Sequence, residues 1–147
     1  MIFLLGGNGL VSAKRTLTCD MHISSFGVVG DQSYIFKIDD GAIKQVAIET
    51  KLDLAKSNLS VDEGSEEDAI NEKIKSDKAS CTNGCTFSSD YSKGNYLKET
   101  VVYDETVAKE KFGSGISDYT ADEIADELQN QLENYISTGN GFTCKKS

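Results

Sequence analysis

The chain has no proline and no tryptophan, and a single histidine, His22, among its 147 residues. Without proline no polyproline-type recognition motif or stiff linker can be built. Without tryptophan a sugar-stacking cleft would have to rely on tyrosine. With one histidine, any Ser-His-Asp or Cys-His site must use His22. Alternation puts His22 on the polar face of a strand with Asp20 and Ser24. No nucleophile motif accompanies them, so it reads as an exposed strand residue. Positive charge is also scarce: 15 Lys and Arg stand against 24 Asp and Glu, for a net charge of -9. A nucleic-acid surface needs clustered Lys and Arg, and an anionic membrane needs the same, so both are disfavoured. No stretch approaches the ~20 consecutive apolar residues that span a bilayer. Internal repeats, sustained heptads and low-complexity runs are missing as well.

What is present fits one folded domain: the length supports a real core, and 38% of the residues are hydrophobic. Residues 14–56 are charge-neutral, so the excess acid lies on the following connection and on the helices, as solvated faces. Residues 1–13 differ from the rest. Met1 to Leu5 is apolar, Gly6-Gly7-Asn8-Gly9 interrupts it, and Val11 and Ala13 occupy the small-residue positions that signal peptidase prefers. This reads as an export-signal remnant, with the mature domain over 14–147; a buried N-terminal strand is the alternative. Gly6-Gly7-Asn8-Gly9 is not a phosphate loop, because no adequate strand precedes it and no Lys-Ser/Thr follows.

Four cysteines, Cys19, Cys81, Cys85 and Cys144, agree with export, since disulfides persist in oxidising compartments. Three pairings are possible. The favoured one is Cys81–Cys85, closed across Thr82-Asn83-Gly84, with Cys19–Cys144 tying the tail to the first strand. The rival is a zinc site of four thiolates, but one Cys-x3-Cys and two isolated cysteines do not make the usual paired knuckles. A thioredoxin-type pair would need Cys-x-x-Cys.

The centre of the chain is a hairpin. Tyr34-Ile35-Phe36-Lys37-Ile38 and Val46-Ala47-Ile48-Glu49-Thr50-Lys51-Leu52 alternate around Asp40-Gly41, where Gly accepts the positive φ of a tight turn. Thr16 to Ile23 forms a strand before it, with Leu17, Cys19, Met21 and Ile23 inward, and Ser24 to Gly30 reads as a connection. Asn58-Leu59-Ser60 is a glycosylation acceptor in a eukaryotic secretory route. Ser65 caps a helix with Glu66, Glu67 and Asp68 in its first turn and Ile70 and Ile74 as a narrow apolar stripe. The acid cluster with Asp62 and Glu63 lacks the spaced ligands of a calcium loop. Thr86 to Tyr91 and Tyr96 to Tyr103 make a second hairpin around Ser92-Lys93-Gly94-Asn95. Asp104 to Phe112 is a short helix ended by Gly113, with Val107, Ala108 and Phe112 inward. The last helix opens on the capping box Thr120/Glu123, with Tyr119 able to staple to Ile124. Ala121, Ile124, Ala125, Leu128, Leu132, Tyr135 and Ile136 form its apolar stripe, and Gly139 stops it.

The fold expected is therefore α+β: an antiparallel sheet, made of a three-strand meander plus a second hairpin, with two or three helices packed on one face. The order of elements, from Thr16-Leu17-Thr18-Cys19 through Gln45-Val46-Ala47-Ile48-Glu49-Thr50-Lys51-Leu52-Asp53-Leu54 to the final acidic helix, resembles the YehR-like small bacterial lipoproteins. That resemblance implies an exported bacterial α+β domain of the cell envelope, in a family without an established activity. Thr16-Leu17-Thr18 is not a lipobox, which argues against a lipid anchor at Cys19. The function expected is a secreted or cell-surface binding or structural domain. It would present a sheet face or its loops to a protein or envelope partner, without catalytic residues, metal or cofactor. The alternatives are an extracellular hydrolase with an acidic active site and a four-thiolate metal module. An apolar cleft with convergent carboxylates would favour the hydrolase.

Overall fold

The computed structural model describes residues 14–57, 66–134 and 141–147. The export remnant over 1–13, the acceptor Asn58-Leu59-Ser60, Asp62, Glu63 and the cap Ser65 lie outside the described residues, as do Tyr135, Ile136 and Gly139. The elements run β1 (Lys14–Ser25), β2 (Val28–Asp39), β3 (Ala42–Asp53), α1 (Glu66–Ser80), β4 (Cys85–Ser92), β5 (Tyr96–Tyr103), α2 (Glu105–Phe112), α3 (Ala121–Glu133) and β6 (Thr143–Lys146). The six strands form one antiparallel sheet in the order β4-β5-β3-β2-β1-β6. The fold is α+β.

Three local features depart from the expectation. Ser24 to Gly30 is not a connection: β1 and β2 run on to a two-residue turn at Phe26-Gly27, both with positive φ (52° and 79°). Gly30 sits inside β2, where a Cβ would collide with the Lys51 carbonyl oxygen; it marks a close strand approach rather than a turn. The tail also forms a strand, β6, whose Cys144 lies opposite Cys19. Finally, the β2–β3 register shifts by one residue near the turn, from Lys37↔Gln45 to Ile38↔Ile43. The bulge leaves Lys44 unmatched and brings Ile43 onto the same buried face as Val46, against simple alternation.

That face carries the main core. Leu17, Phe36, Ile38, Ile43 and Val46 of the sheet meet Ala108 of α2 and Ala121, Ile124, Ala125 and Leu128 of α3. Burial of each large aliphatic or aromatic side chain contributes about 1.5–3 kcal/mol. Phe36 and Phe112 meet edge to face at 5.3 Å, as do Tyr34 and Phe142. A smaller cluster, Leu54, Ile70 and Leu97 with Leu52, Ile74 and Tyr91 against it, lies beneath α1. The capping box of α3 is complete, since Thr120 Oγ1 accepts from Glu123 N–H and Glu123 Oε1 accepts from Thr120 N–H. Arg15 and Lys146 both pair with Asp122 in the first turn of α3, at 2.8 and 3.3 Å. The Cys19–Cys144 and Cys81–Cys85 pairs stand at bonding distance, with Cα separations of 4.0 and 5.2 Å.

Candidate binding site

One row of the inner sheet face is polar where its neighbours are apolar. Strand register places Gln32 of β2 opposite Thr50 of β3, Thr50 opposite Glu99 of β5, and Glu99 opposite Ser89 of β4. The next row along the strands is Tyr34, Ile48, Val101 and Phe87. On the other side lie Leu52, Leu97 and Tyr91, part of the cluster beneath α1. The polar row therefore separates the two clusters, and α1 passes over it.

Between α1 and the sheet is a cavity of about 360 Å³. Gln32, Thr50 and Glu99 form its floor, Lys73, Asp77, Ser80 and Cys81 its roof, and Tyr34, Phe87 and Tyr103 part of its wall. The roof is fixed at both ends. Glu66, at the start of α1, accepts hydrogen bonds from the Tyr91 hydroxyl (2.9 Å) and the Gly94 N–H (3.0 Å). Burial, aided by Glu66, pushes the Tyr91 hydroxyl up to about 12, so it remains a donor at any physiological pH. Past the other end, the Cys81–Cys85 pair links α1 to the first residue of β4.

The chemistry of the cavity is carried by three charged groups. Lys73 Nζ lies 2.9 Å from Glu99 Oε1 and 2.5 Å from Asp77 Oδ2, so two carboxylates share one ammonium. Glu99 is only 7% exposed, and its other oxygen, Oε2, makes no hydrogen bond. Leaving a buried acceptor unsatisfied costs about 1–3 kcal/mol. Burial pushes the Glu99 carboxyl up; Lys73 opposes this, the neighbouring Asp77 adds to it, and the outcome is a raised value. For Asp77 burial also acts upward, but Lys73 and the Glu99 carboxyl outweigh it and hold Asp77 down. For Lys73 burial acts downward, and its two carboxylates reverse this and raise it. The first proton taken up by the carboxylate pair therefore goes to Glu99.

The residues singled out in the sequence are scattered. Cys81 and Cys85 border the cavity, whereas Cys19 and Cys144 join β1 to β6, so the four sulfurs form two pairs and no single cluster. Among the described residues no group of three or more His, Cys, Asp or Glu is arranged to hold a metal ion. His22 is on the opposite face, 3.1 Å from Asp31, while Asp20 accepts from the Ser33 hydroxyl. His22, Asp20 and Ser24 thus form no hydrogen-bonded chain. The cavity residues Gln32, Thr50, Lys73, Asp77 and Glu99 escaped the sequence reading, although a signal existed. Glu99 is in phase with Leu97, Val101 and Tyr103, Thr50 with Val46, Ile48 and Leu52, and Gln32 with Tyr34 and Phe36. A polar residue at an inward position of each of three strands marks one row.

No protein-family model matches the chain, and no curated protein sequence matches it significantly. An NMR structure of a protein from Streptococcus pneumoniae TIGR4 is similar over 88% of this chain and 85% of that one, at 17% identity and a TM-score of 0.45. A likeness of that degree transfers nothing to this chain.

Proposed function

We propose that this chain is an exported, disulfide-stapled binding domain that holds its ligand in the cavity between α1 and the sheet and acts without catalysis. The observation that carries the reading is Glu99, a buried carboxylate with one oxygen unpartnered, lining a cavity of small-molecule size. For stability alone, an apolar residue at that position would be neutral or better. Buried polar groups that weaken a fold concentrate at binding sites, where apolar walls and a few polar groups give affinity and orientation. Export is supported by the two cysteine pairs, which an oxidising compartment maintains, and by the resemblance to the YehR-like lipoproteins. Among the described residues no helix is long and apolar enough to cross a membrane.

The acidic hydrolase is the second reading, because Asp77 and Glu99 converge on the cavity. Lys73 sits between them within hydrogen-bond distance of both, where a scissile bond would have to lie, and this subordinates it. A fragment screen by amide NMR on the oxidised chain tests the main reading. Shifts should concentrate on Thr50, Lys73, Phe87 and Glu99. A broad fragment set that leaves those amides unmoved would sink the cavity as the binding site. Turnover of chromogenic glycosides that is lost in both Asp77→Asn and Glu99→Gln would establish the hydrolase in its place.

A further inference from the structure

Building on the cavity as the binding site, we infer that its ligand is a compact organic cation, a primary ammonium on a short apolar arm, seated against Glu99. Charge count is the first argument. Of the residues lining the cavity, Asp77 and Glu99 are acidic and Lys73 alone is basic, so one negative charge is uncompensated when both carboxylates are ionised. Hydrogen-bond count is the second. The Lys73 ammonium has three N–H groups and directs two at the carboxylates, while Glu99 Oε2 is a buried acceptor with no donor. The vacant capacity is therefore for a donor that carries positive charge. An anion would meet two carboxylates, and a neutral ligand would leave the charge unbalanced.

The walls suit the rest of such a molecule. Phe87, Ile48 and Val101 line the wall and offer apolar and aromatic contact to its arm, while the Tyr103 ring already carries the Lys111 ammonium 5.2 Å from its centroid. The volume lies near the low end of ligand pockets, about 300–1,000 Å³, which favours a ligand of few heavy atoms. Lys73, with 42% of its side chain exposed, is the roof residue that connects Glu99 to the solvent side of the cavity.

Binding pairs the incoming ammonium with the ionised Glu99 carboxylate, so any proton that Glu99 carries has to leave to solvent first. The charged groups facing Glu99 are Lys73 and Asp77, both from α1, while its neighbours Thr50 on β3 and Ser89 on β4 are uncharged. Affinity should therefore rise with pH until Glu99 is ionised and then level off.

The test uses three four-carbon probes, n-butylammonium, butyrate and 1-butanol, titrated into the oxidised full chain and followed by amide NMR. Butylammonium should shift the amides of Thr50, Phe87 and Glu99, bind more tightly at about pH 8 than at about pH 5, and weaken about tenfold in Glu99→Gln. Asp77→Asn, at a side chain 37% exposed against 8% for Glu99, should give a smaller loss of the same sign. Butyrate or butanol binding there as tightly as butylammonium would overturn the cation and leave the cavity reading standing, as would unchanged butylammonium affinity in both variants. If none of the three moved these amides, the cavity reading would fall with it.

Discussion

The carboxylate of Asp40, in the β2–β3 turn, accepts a 2.8 Å hydrogen bond from the backbone N–H of Ala121, 81 positions away and the first residue of α3. Beside it the Gly41 N–H donates to the Tyr119 carbonyl at 2.7 Å. Thr120 satisfies the N–H of Glu123 within its own helix, and Asp40 supplies an acceptor for another of the free donors that open α3. Asp40→Ala should therefore lower stability by about 1–2 kcal/mol, and Asp40→Asn, which keeps an acceptor, by a fraction of that. Gly41→Ala should cost more than about 1 kcal/mol, because φ is +74° and the new Cβ would lie 2.9 Å from the Ser117 carbonyl oxygen. Urea midpoints at unchanged m-value check all three. An Asp40→Ala variant as stable as the parent would mean that the bond does not hold α3.

The hairpin at Asp40-Gly41 was readable because a turn is a property of adjacent residues. Its contact with α3 was not, because nothing local says which helix end comes to rest against it. The same division runs through the molecule. The capping box at Thr120 and Glu123 and the strands around Ser92 to Asn95 are written in short windows. The pairing of β5 with β3 depends on long-range contacts, and β6 is four residues held by β1. The bulge at Lys44 breaks the period of two that assigns faces, so Ile43 reads as outward and is buried. The site was half legible: the inward phase of Glu99 is visible in β5, but the helix that brings Lys73 and Asp77 over it is not.

Stability should depend on pH through Glu99 and Asp77 with opposite signs. The Glu99 carboxyl is raised above its ordinary 4.5, so the folded state holds its proton more tightly than the unfolded chain. Its contribution is most favourable at acid pH and is lost as pH rises through its folded value. Asp77 is lowered below 3.8, so its contribution is present above that value and is lost as pH falls through its folded value. Glu99→Gln should accordingly gain on the parent as pH rises from about 4 to about 8, while Asp77→Asn should stay behind the parent across that range and close on it only below about pH 4. Thermal midpoints measured across this range separate the two. Parallel curves for the parent and Glu99→Gln would mean that Glu99 titrates as it does in water.

The two disulfides should contribute unequally. They close loops with sequence separations of 125 and 4. In the chain-entropy model the first is worth about 5 kcal/mol and the second about 2 kcal/mol. Cys19→Ser/Cys144→Ser should therefore be the more damaging pair, and Cys81→Ser/Cys85→Ser should mainly loosen α1 over the cavity. Denaturation of each double variant gives the ranking. Intact mass of the protein recovered from its native host tests export in the same preparation. A chain beginning at Lys14, with four cysteines alkylated only after reduction, is the expected result, and four free thiols would remove the oxidising compartment.

The turn between β1 and β2 should be improvable. Phe26 has a φ of 52° and is 94% exposed, so it adopts a left-handed conformation without the compensation of burial. With Gly27 at 79°, both central residues have the positive φ of a primed hairpin turn, in which Asn-Gly is the preferred pair. An L-residue with a bulky side chain costs about 1–2 kcal/mol in this region, whereas Asn is tolerated through local hydrogen bonding. Phe26→Asn should raise stability by about 0.5–1 kcal/mol, read as a higher urea midpoint, and should leave the amide shifts of Thr50, Lys73 and Glu99 in place. A stabilised variant with an intact cavity would show that Phe26 strains the turn and that the cavity does not depend on it. A midpoint that falls would mean that the ring is held by contacts that outweigh the strain.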